Sequence, residues 1–215
     1  MHGIPGSRGP ADEADSKAGL RRRLARARAA MPESTRNEAG RLIRDHVLQR
    51  PEVAAAGTVA AYYSIGTEPG THSLIFALWK RGSYVVLPVL LPDGDLDWAS
   101  YEGPDSLAPG PRGLLQPTEP LRGTGTVARA DVVLVPALAV DVAGNRLGRG
   151  GGSYDRALAR VGGQVPVIAL LYDEELLASV PVMPHDQRVH AVARPSTGIT
   201  RLPVAESATP QRGYP

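Results

Sequence analysis

Apolar positions near the start of the chain recur at the three- and four-residue spacing of a helix. Ser16 is a suitable N-cap for a first helix that ends near Ala30. A second helix is predicted to begin at Pro32 and Glu33. The predicted buried faces consist of Leu20, Leu24 and Ala27 in the first helix, and of Leu42, Ile43, Val47 and Leu48 in the second.

Further along the chain, short runs rich in β-branched residues alternate with helical segments. Strands are predicted for GTVAAYYSI, SYVVLPV, ADVVLVPALAV, VPVIALLY and, as the last strand, QRVHAVA. Helices are predicted for THSLIFALWKRG, SYDRALARVG and DEELLASV. Alternation at this pitch is typical of parallel βαβ units. The predicted fold is therefore an α/β three-layer sandwich, with a mostly parallel central sheet and helices on both faces.

The pattern also predicts the limits of the folded part. Residues 16–202 are expected to form a single domain between flexible tails at 1–15 and 203–215. Between Leu90 and Arg129 the pattern loosens, which predicts a surface excursion with a short edge hairpin around LDWASYEG. The N-terminus lacks the basic and apolar regions of a secretory signal, and no apolar run is long enough to span a membrane. We expect a cytoplasmic protein with no membrane partner.

Composition and charge narrow the chemistry. None of the 215 residues is cysteine, which excludes disulfides, a thiolate metal site and a thiol nucleophile. The net charge is only +2, yet ten basic residues stand against three acids between Lys17 and Arg50. Such a block indicates either a polyanion partner, such as nucleic acid, or one or two cations aimed at a phosphate among others that are solvated.

The segment GNRLGRGGGSYDRAL, residues 144–158, lies between a predicted strand and a predicted helix. Glycines in such a turn let phosphate oxygens approach the backbone N–H groups. Arg146 and Arg149 add guanidinium groups, and Asp155 could cap the helix or ligate Mg²⁺. The spacing fits neither a P-loop nor a GxGxxG fingerprint. The loop therefore predicts a phosphate site of another kind, with a purely structural turn as the alternative.

The same segment resembles a known signature. LVPALAVDVAGNRLGRGGGSYDRAL is similar to the pattern P-x-L-x-x-D/N-x-x-G-x-R-L-G-x-G-x-G-Y-Y-D of the 5-formyltetrahydrofolate cyclo-ligase (methenyltetrahydrofolate synthetase) family. Other segments resemble that family in the same order, from Lys17 to about Val192. They are KAGLRRRL, YYSIGTEPGT, LPV, GLLQPTEP and PHDQRVHAV.

The resemblance implies an ATP- and Mg²⁺-dependent ligase that converts 5-formyltetrahydrofolate to 5,10-methenyltetrahydrofolate and releases ADP and phosphate. ATP would activate the formyl oxygen as a phosphorylated intermediate, which a neighbouring amine of the folate attacks. The expected partners are the folate and ATP, without nucleic acid, and the expected state is a monomer. Two alternatives stay open, namely a diverged ATP- or folate-binding relative and a nucleic-acid-binding protein that uses the basic helices.

The resemblance also implies roles for individual residues. Arg146 and Arg149 are expected to be catalytic, and Glu68 and Tyr154 to bind the folate. The expected ATP-binding set is Lys17, Arg21, Arg146, Leu147, Gly148, Arg149, Gly150, Gly151, Gly152, Ser153, Tyr154 and Asp155, and the expected metal ligands are Asp155 and Asp186.

Several positions depart from the family pattern. Ser153 stands where the family usually has a tyrosine, Gly151 where relatives sometimes have lysine, and His190 where an aspartate is usual. Among the aromatic residues, Trp98 and Tyr101 lie in the excursion and are predicted to border the folate site. Tyr62, Tyr63 and Trp79 lie in periodic segments and are predicted to be core residues.

Overall fold

The computed structural model describes residues 16–203, so the predicted tail at 1–15 and all but residue 203 of the predicted tail at 203–215 lie outside the described residues. Five α-helices and twelve strands form within this range. The helices are α1 (Lys17–Ala30), α2 (Glu33–Leu48), α3 (Pro51–Ala54), α4 (His72–Lys80) and α5 (Ser153–Leu158). The strands are β1 (Thr58–Ala60), β2 (Tyr84–Leu90), β3 (Leu96–Ser100), β4 (Leu107–Pro109), β5 (Leu115–Pro117), β6 (Val132–Pro136), β7 (Ala139–Asp141), β8 (Arg146–Leu147), β9 (Val167–Leu170), β10 (Leu176–Leu177), β11 (Ala191–Arg194) and β12 (Gly198–Arg201).

Seven strands form the central sheet, in the order β12-β11-β9-β6-β1-β2-β3. The five inner strands are parallel, while β12 and β3 close the two edges as antiparallel strands. A second sheet, β10-β7-β8, and the two-stranded β4–β5 hairpin complete the strands. The predicted α/β fold with a mostly parallel sheet is confirmed.

Helices cover both faces of the sheet, and successive residues of each inner strand point to opposite cores. Val59 of β1 packs on one face with Ile43 of α2 and Leu74 of α4. Its neighbour Ala60 packs on the other face with Leu158 of α5 and Val127 of a 3-10 helix. Burial on both faces explains why the inner strands read as continuous apolar runs in the sequence.

Helix α1 packs beyond the end of β6 rather than on a face of the central sheet. Ser16 caps the helix as predicted, because its Oγ accepts a hydrogen bond from Gly19 N at 3.1 Å. Leu20 and Leu24 are buried together with Leu138 and Leu147. The third member of the predicted buried face was wrong: Ala27 is exposed and its neighbour Arg28 is buried instead. In α2, Leu42 is also exposed rather than buried.

Four element boundaries differ from the prediction. The run ADVVLVPALAV forms two strands in two sheets, β6 and β7, rather than one. DEELLASV forms a 3-10 turn at Asp173–Glu175 followed by β10 rather than a helix, and β12 follows β11, which was predicted to be the last strand. The predicted edge hairpin exists as β2–β3, but β3 is buried under a 3-10 helix, Thr124–Arg129, of the excursion. No helix within residues 16–203 is both long and apolar enough to cross a membrane.

Candidate active site

A cavity of about 590 Å³ lies beyond the carboxyl ends of the parallel strands. This edge is where open α/β sheets bind their ligands, and the volume is in the range of small-molecule sites. The walls come from the start of α1, the segments after β1, β2 and β6, the β4–β5 hairpin and the glycine-rich loop before α5. Its charged and tyrosine side chains include Lys17, Arg21, Arg28, Tyr62, Glu68, Arg112, Arg146, Arg149, Tyr154, Asp155 and Asp186.

The loop from Gly148 to Gly152 forms one side of the cavity. Gly150 and Gly152 adopt φ angles of +103° and +70°, which favour glycine over residues with a Cβ. A Cβ on Gly150 would lie 3.3 Å from the guanidinium carbon of Arg21, so glycine also permits this close packing. The Ser153 hydroxyl, which replaces the usual tyrosine, donates to the Gly94 carbonyl at 2.6 Å and fixes the loop to the β2–β3 turn.

Two cations of α1 lie one helical turn apart at the cavity. The Lys17 ammonium lies 2.5 Å from the Asp186 carboxylate. Arg21 Nε donates to the Gly148 carbonyl at 2.8 Å, which ties α1 to the glycine-rich loop. Burial opposes ionisation of Asp186, but the hydrogen bonds from Lys17 and from the Met183 backbone prevail and hold its pKa below the ordinary value. Asp186 is therefore a carboxylate at neutral pH.

Arg146 enters the cavity from β8 and is almost completely buried. Its Nη2 donates to Asp155 Oδ1 at 2.7 Å, and its guanidinium lies 5.8 Å from the centre of the Tyr154 ring. The Nε group has no hydrogen-bond partner among the described residues. Because a buried unpaired donor is costly, this N–H is a candidate contact for a bound anion.

Arg149 and Glu68 connect two sides of the cavity. The Arg149 guanidinium lies 3.1 Å from Glu68 Oε1, with the arginine side chain 55% exposed and the glutamate only 9% exposed. Glu68 Oε2 accepts a hydrogen bond from Ile65 N at 2.9 Å. Burial raises the pKa of Glu68, although the backbone hydrogen bond and Arg149 oppose part of that shift. Burial also raises the pKa of Tyr154, with Glu68 adding to the effect, so Tyr154 keeps its proton.

Several cavity residues were missed by sequence reasoning, among them the buried Arg28 and Tyr62. Arg28 is buried and forms a two-point contact with Glu175, at 2.6 and 2.7 Å, while Nη2 also donates to the Ala137 carbonyl at 2.6 Å. Tyr62, predicted to be a core residue, lines the cavity as well, and its hydroxyl has no partner among residues 16–203. The apolar spacing of the strand hid Tyr62, and the surrounding arginines hid Arg28.

Tyr62 is buried in one core as predicted although it also lines the cavity, whereas the prediction for Trp98 and Tyr101 was wrong. Tyr63 lines the cavity, whereas Trp98 and Tyr101 are fully buried in the two cores rather than beside a ligand. Trp98 was predicted to lie in a loose excursion, but it is in β3, where a strand places it against the sheet. Trp79 packs against one core as predicted.

The structure brings nearly all predicted site residues to one cavity. Leu147 is the exception, because its side chain is buried with Leu20 and Leu24 and does not line the cavity. His190, the replacement of the usual aspartate, also does not line it, since its Nδ1 accepts a hydrogen bond from Val167 N at 3.0 Å in the sheet. Leu147 therefore packs against α1, and His190 is part of the central sheet.

The two predicted metal ligands, Asp155 and Asp186, both line the cavity, and each contacts a basic side chain. Within residues 16–203, no group of three His, Cys, Asp or Glu side chains is arranged to hold a metal ion. The side chains thus do not form a complete metal cage. One or two carboxylates combined with phosphate oxygens are nevertheless the usual protein environment of Mg²⁺, and the pair fits that pattern.

The fold and the cavity define an α/β protein with a cation-rich ligand site at the carboxyl edge of its sheet. Residues 13–195 match the 5-formyltetrahydrofolate cyclo-ligase family, and the chain belongs to that family. The predicted recognition and enzyme class are confirmed, since this is a family of ATP-dependent ligases.

Individual relatives agree with this assignment. The chain is 39% identical over 192 residues to a 5-formyltetrahydrofolate cyclo-ligase of Mycolicibacterium smegmatis, covering 87% of this chain and 97% of the relative. It is 34% identical over 174 residues to the enzyme of that name from Escherichia coli K12, covering 80% and 95% of the two chains. The fold matches a solved 5,10-methenyltetrahydrofolate synthetase of Aquifex aeolicus with a TM-score of 0.76 at 24% identity, over 91% of this chain and 97% of that one.

Proposed function

We propose that this protein uses ATP to close the ring of 5-formyltetrahydrofolate, giving 5,10-methenyltetrahydrofolate, ADP and phosphate. Family membership supports the reaction. The observation that carries the proposal for this chain is the Arg149–Glu68 contact within one cavity. Arg149 belongs to the glycine-rich loop suited to phosphate, and Glu68 belongs to the segment after β1 that is suited to the folate, so the two substrates would meet there.

The proposed reaction has two steps. The terminal phosphoryl group of ATP moves to the formyl oxygen, and ADP leaves. The neighbouring amine of the folate then attacks the formyl carbon, and the former formyl oxygen leaves with phosphate while the amine proton is released. Phosphoryl transfer depends mainly on positioning and on neutralising negative charge. Lys17, Arg21, Arg146 and Arg149 provide that charge around the cavity.

For the folate side, we propose that Glu68 and Tyr154 hold the pterin. The largely buried Glu68 carboxylate is a suitable acceptor for the amino and ring N–H donors of a pterin. Burial raises the pKa of Glu68, so a hydrogen-bonding partner that neutralises its buried charge would be favoured there. Tyr154 keeps its hydroxyl proton and lies against Arg146, so it contacts both sides of the cavity.

We propose that Asp155 and Asp186 hold Mg²⁺ together with phosphate oxygens. When bound, this ion would supply positive charge to the phosphates. Asp155 makes its contacts with Arg146 and with Gln187 N through Oδ1. Asp186 contacts Lys17 and Met183 N through Oδ2. Asp155 thus uses a single oxygen for these contacts, which leaves Oδ2 for a metal ion. Oδ1 of Asp186 lies 3.8 Å from His185 Nε2, so the histidine would have to move aside for a metal ion to bind.

The proposed function is tested by mixing the protein with 5-formyltetrahydrofolate, Mg²⁺ and ATP. We expect the near-ultraviolet absorbance of the methenyl product to rise only when ATP is present. Release of phosphate should match product formation one to one. Tight binding of ATP or folate without any product would contradict the proposal and favour a diverged binder.

Arg149→Ala provides a first prediction for the site. We expect kcat/KM to fall roughly 10–100-fold, because a charge-assisted contact to phosphate is lost. The free energy of unfolding should change by less than about 1 kcal/mol, since the arginine is more than half exposed. Arg122→Ala, an exposed arginine that does not line the cavity, is the matched control and should keep full activity. Equal losses in both variants would show that general charge, not the site, is responsible.

The proposal also covers the oligomeric state, the domain organisation, the cellular location and the partners of the protein. We propose a monomer of one domain over residues 16–202 that acts in the cytoplasm without a nucleic-acid partner. Lys17, Arg21 and Arg28 of the basic block line the cavity, which supports a role for that part of the charge in binding the substrates.

A further inference from the structure

The β4–β5 hairpin brings an additional arginine to the cavity. Its strands, Leu107–Pro109 and Leu115–Pro117, pair antiparallel, and Arg112 lies at the tip that joins them. Arg112 lines the cavity, although it lies outside the glycine-rich loop and the signature that contains this loop. It directly precedes GLLQPTEP, a segment that resembles the family, but no role was predicted for Arg112 itself.

The backbone of Arg112 is in an unfavourable conformation. With φ 58° and ψ 25°, it is the one non-glycine residue with positive φ in the described part of the chain. A residue with a Cβ pays a steric penalty there, and such outliers concentrate at functional sites. The tip is held by Gly110 N, which donates to the Leu114 carbonyl at 2.7 Å, and by Leu114 N, which donates to the Pro111 carbonyl at 3.1 Å. The hairpin thus presents arginine where glycine would suit the backbone better.

The Arg112 guanidinium reaches the glycine-rich loop at one particular position. Its Nη1 lies 4.0 Å from the point that a Cβ of residue 151 would occupy. The β4–β5 hairpin therefore places a cation beside a stretch of the glycine-rich loop that carries no side chain of its own.

Arg112 differs from most other basic side chains of the cavity in having no carboxylate partner among the described residues. Lys17, Arg28, Arg146 and Arg149 each contact a carboxylate. Within residues 16–203, no acidic side chain pairs with the remaining two lining arginines, Arg21 and Arg112. Arg21 already donates to the Gly148 carbonyl. Arg112 is therefore the cation of the cavity with the least internal compensation, which suits a group that binds an anion.

We propose that Arg112 is a phosphate-binding residue, which adds from the β4–β5 hairpin a cation beside the glycine-rich loop. The assignment of its ligand as the phosphate chain of ATP rests on the proposed function. The folate also has carboxylates that an arginine could bind, but the closeness to Gly151 in the glycine-rich loop favours phosphate over that tail.

The proposal is tested by calorimetric titration of the full chain with inorganic tripolyphosphate and, separately, with ATP. We expect Arg112→Ala to weaken tripolyphosphate binding about tenfold or more at low salt, as expected for one charge-assisted phosphate contact. Arg112→Lys should lose less of the tripolyphosphate affinity, because lysine keeps the positive charge. Arg122→Ala removes the same charge from an exposed site outside the cavity and should bind as the wild type does. Unchanged affinity in Arg112→Ala, or no tripolyphosphate binding by the wild type, would overturn the proposal.

A rescue variant separates a local contact from a structural effect. Gly151 does not have a positive φ, and a Cβ there meets only ordinary van der Waals neighbours, so a lysine fits. We expect Arg112→Ala combined with Gly151→Lys to recover most of the lost affinity. Arg112→Gly suits the backbone and should raise the melting temperature while it loses the same affinity. This variant keeps the test valid if Arg112→Ala folds poorly.

Steady-state kinetics then identify the substrate that Arg112 contacts. We expect Arg112→Ala to raise the KM for ATP about tenfold and to leave the KM for the folate within about twofold. The opposite split would assign Arg112 to the folate tail and overturn the proposal. A wild-type protein that forms no methenyl product would refute the proposed function alone, because the tripolyphosphate titration would still decide the role of Arg112.

Discussion

At the scale of single residues, Arg28 of the cavity wall forms a buried ion pair with Glu175 behind it. Both side chains are almost fully buried and share two hydrogen bonds. Burial raises the pKa of Glu175, and Arg28 opposes that shift. We expect Arg28→Met to lower the free energy of unfolding by about 3–5 kcal/mol, because it leaves the carboxylate buried without its partner. Urea unfolding at pH 7 measures the effect.

The matched control for this pair is Arg26→Met, which changes an exposed arginine of the same helix and should alter stability by less than about 0.5 kcal/mol. The double variant Arg28→Met with Glu175→Gln should be more stable than Arg28→Met alone, since no buried charge remains. A double variant as unstable as the single one would show that packing, not charge, makes Arg28 important.

The same residue shows where sequence reasoning reaches its limit. Arg28 is one of ten basic residues in a short stretch, and only its four-residue spacing from Leu24 places it on the buried face of the helix. Its partner Glu175 is 147 positions away, so only the tertiary fold reveals the pair. By contrast, Arg146 and Arg149 could be predicted, because they lie inside a contiguous glycine-rich motif.

At the scale of elements, the β7–β8 turn positions Arg146 for the cavity. Gly144 has φ +85°, and a Cβ there would lie 2.6 Å from the Val189 carbonyl oxygen. Backbone atoms cannot rotate away from such a contact, so the turn itself would have to move. We expect Gly144→Ala to cost about 1–3 kcal/mol of stability and to reduce activity with it. Thermal unfolding and the methenyl assay measure the two effects.

Gly162→Ala is the comparison for this prediction. Gly162 has no positive φ, and no atom of the described residues lies within 4 Å of the point that a Cβ would occupy there, so stability should stay level or rise slightly. Wild-type stability in Gly144→Ala would mean that the turn adapts easily and does not constrain Arg146.

The elements themselves were predicted unevenly, for physical reasons. Apolar periodicity revealed the inner strands, because both faces of a parallel sheet are buried. It did not reveal the break between β6 and β7, since the residues on both sides of Pro136 are equally apolar and equally buried. The short β10 depends on pairing with the distant β7, which local spacing does not encode. The prediction missed β12 although it forms a tight antiparallel hairpin with the preceding β11.

At the scale of the whole molecule, the alternation of strands and helices was enough to predict the sheet and the edge where the cavity lies. The wall formed by the β4–β5 hairpin was beyond sequence reasoning, because its position follows from packing on the rest of the fold. The cavity therefore combines a predictable loop with parts assembled from distant segments.

His190 joins β9 to β11 in the central sheet and gives the stability of the whole protein a pH dependence. The backbone N–H of His190 donates to the Val167 carbonyl at 2.8 Å, and the ring Nδ1 of His190 accepts a hydrogen bond from the backbone N–H of Val167 at 3.0 Å. Burial lowers the pKa of the imidazole below the ordinary 6.5. Because the unfolded chain then binds the proton more readily, the contribution of His190 is complete above pH 6.5 and is lost as pH falls towards the folded pKa.

We expect His190→Asn to remove this acid sensitivity, since an amide oxygen can accept the same hydrogen bond without titrating. Between about pH 7.5 and 5.5 the wild type should lose stability relative to the variant by less than about 1 kcal/mol, because the ring is only partly buried. Urea unfolding of both proteins at the two pH values gives the difference, in which the contributions of the shared histidines cancel. Parallel stability curves would show that the His190 ring accommodates its proton in the fold and that the hydrogen bond from Val167 does not require a neutral imidazole.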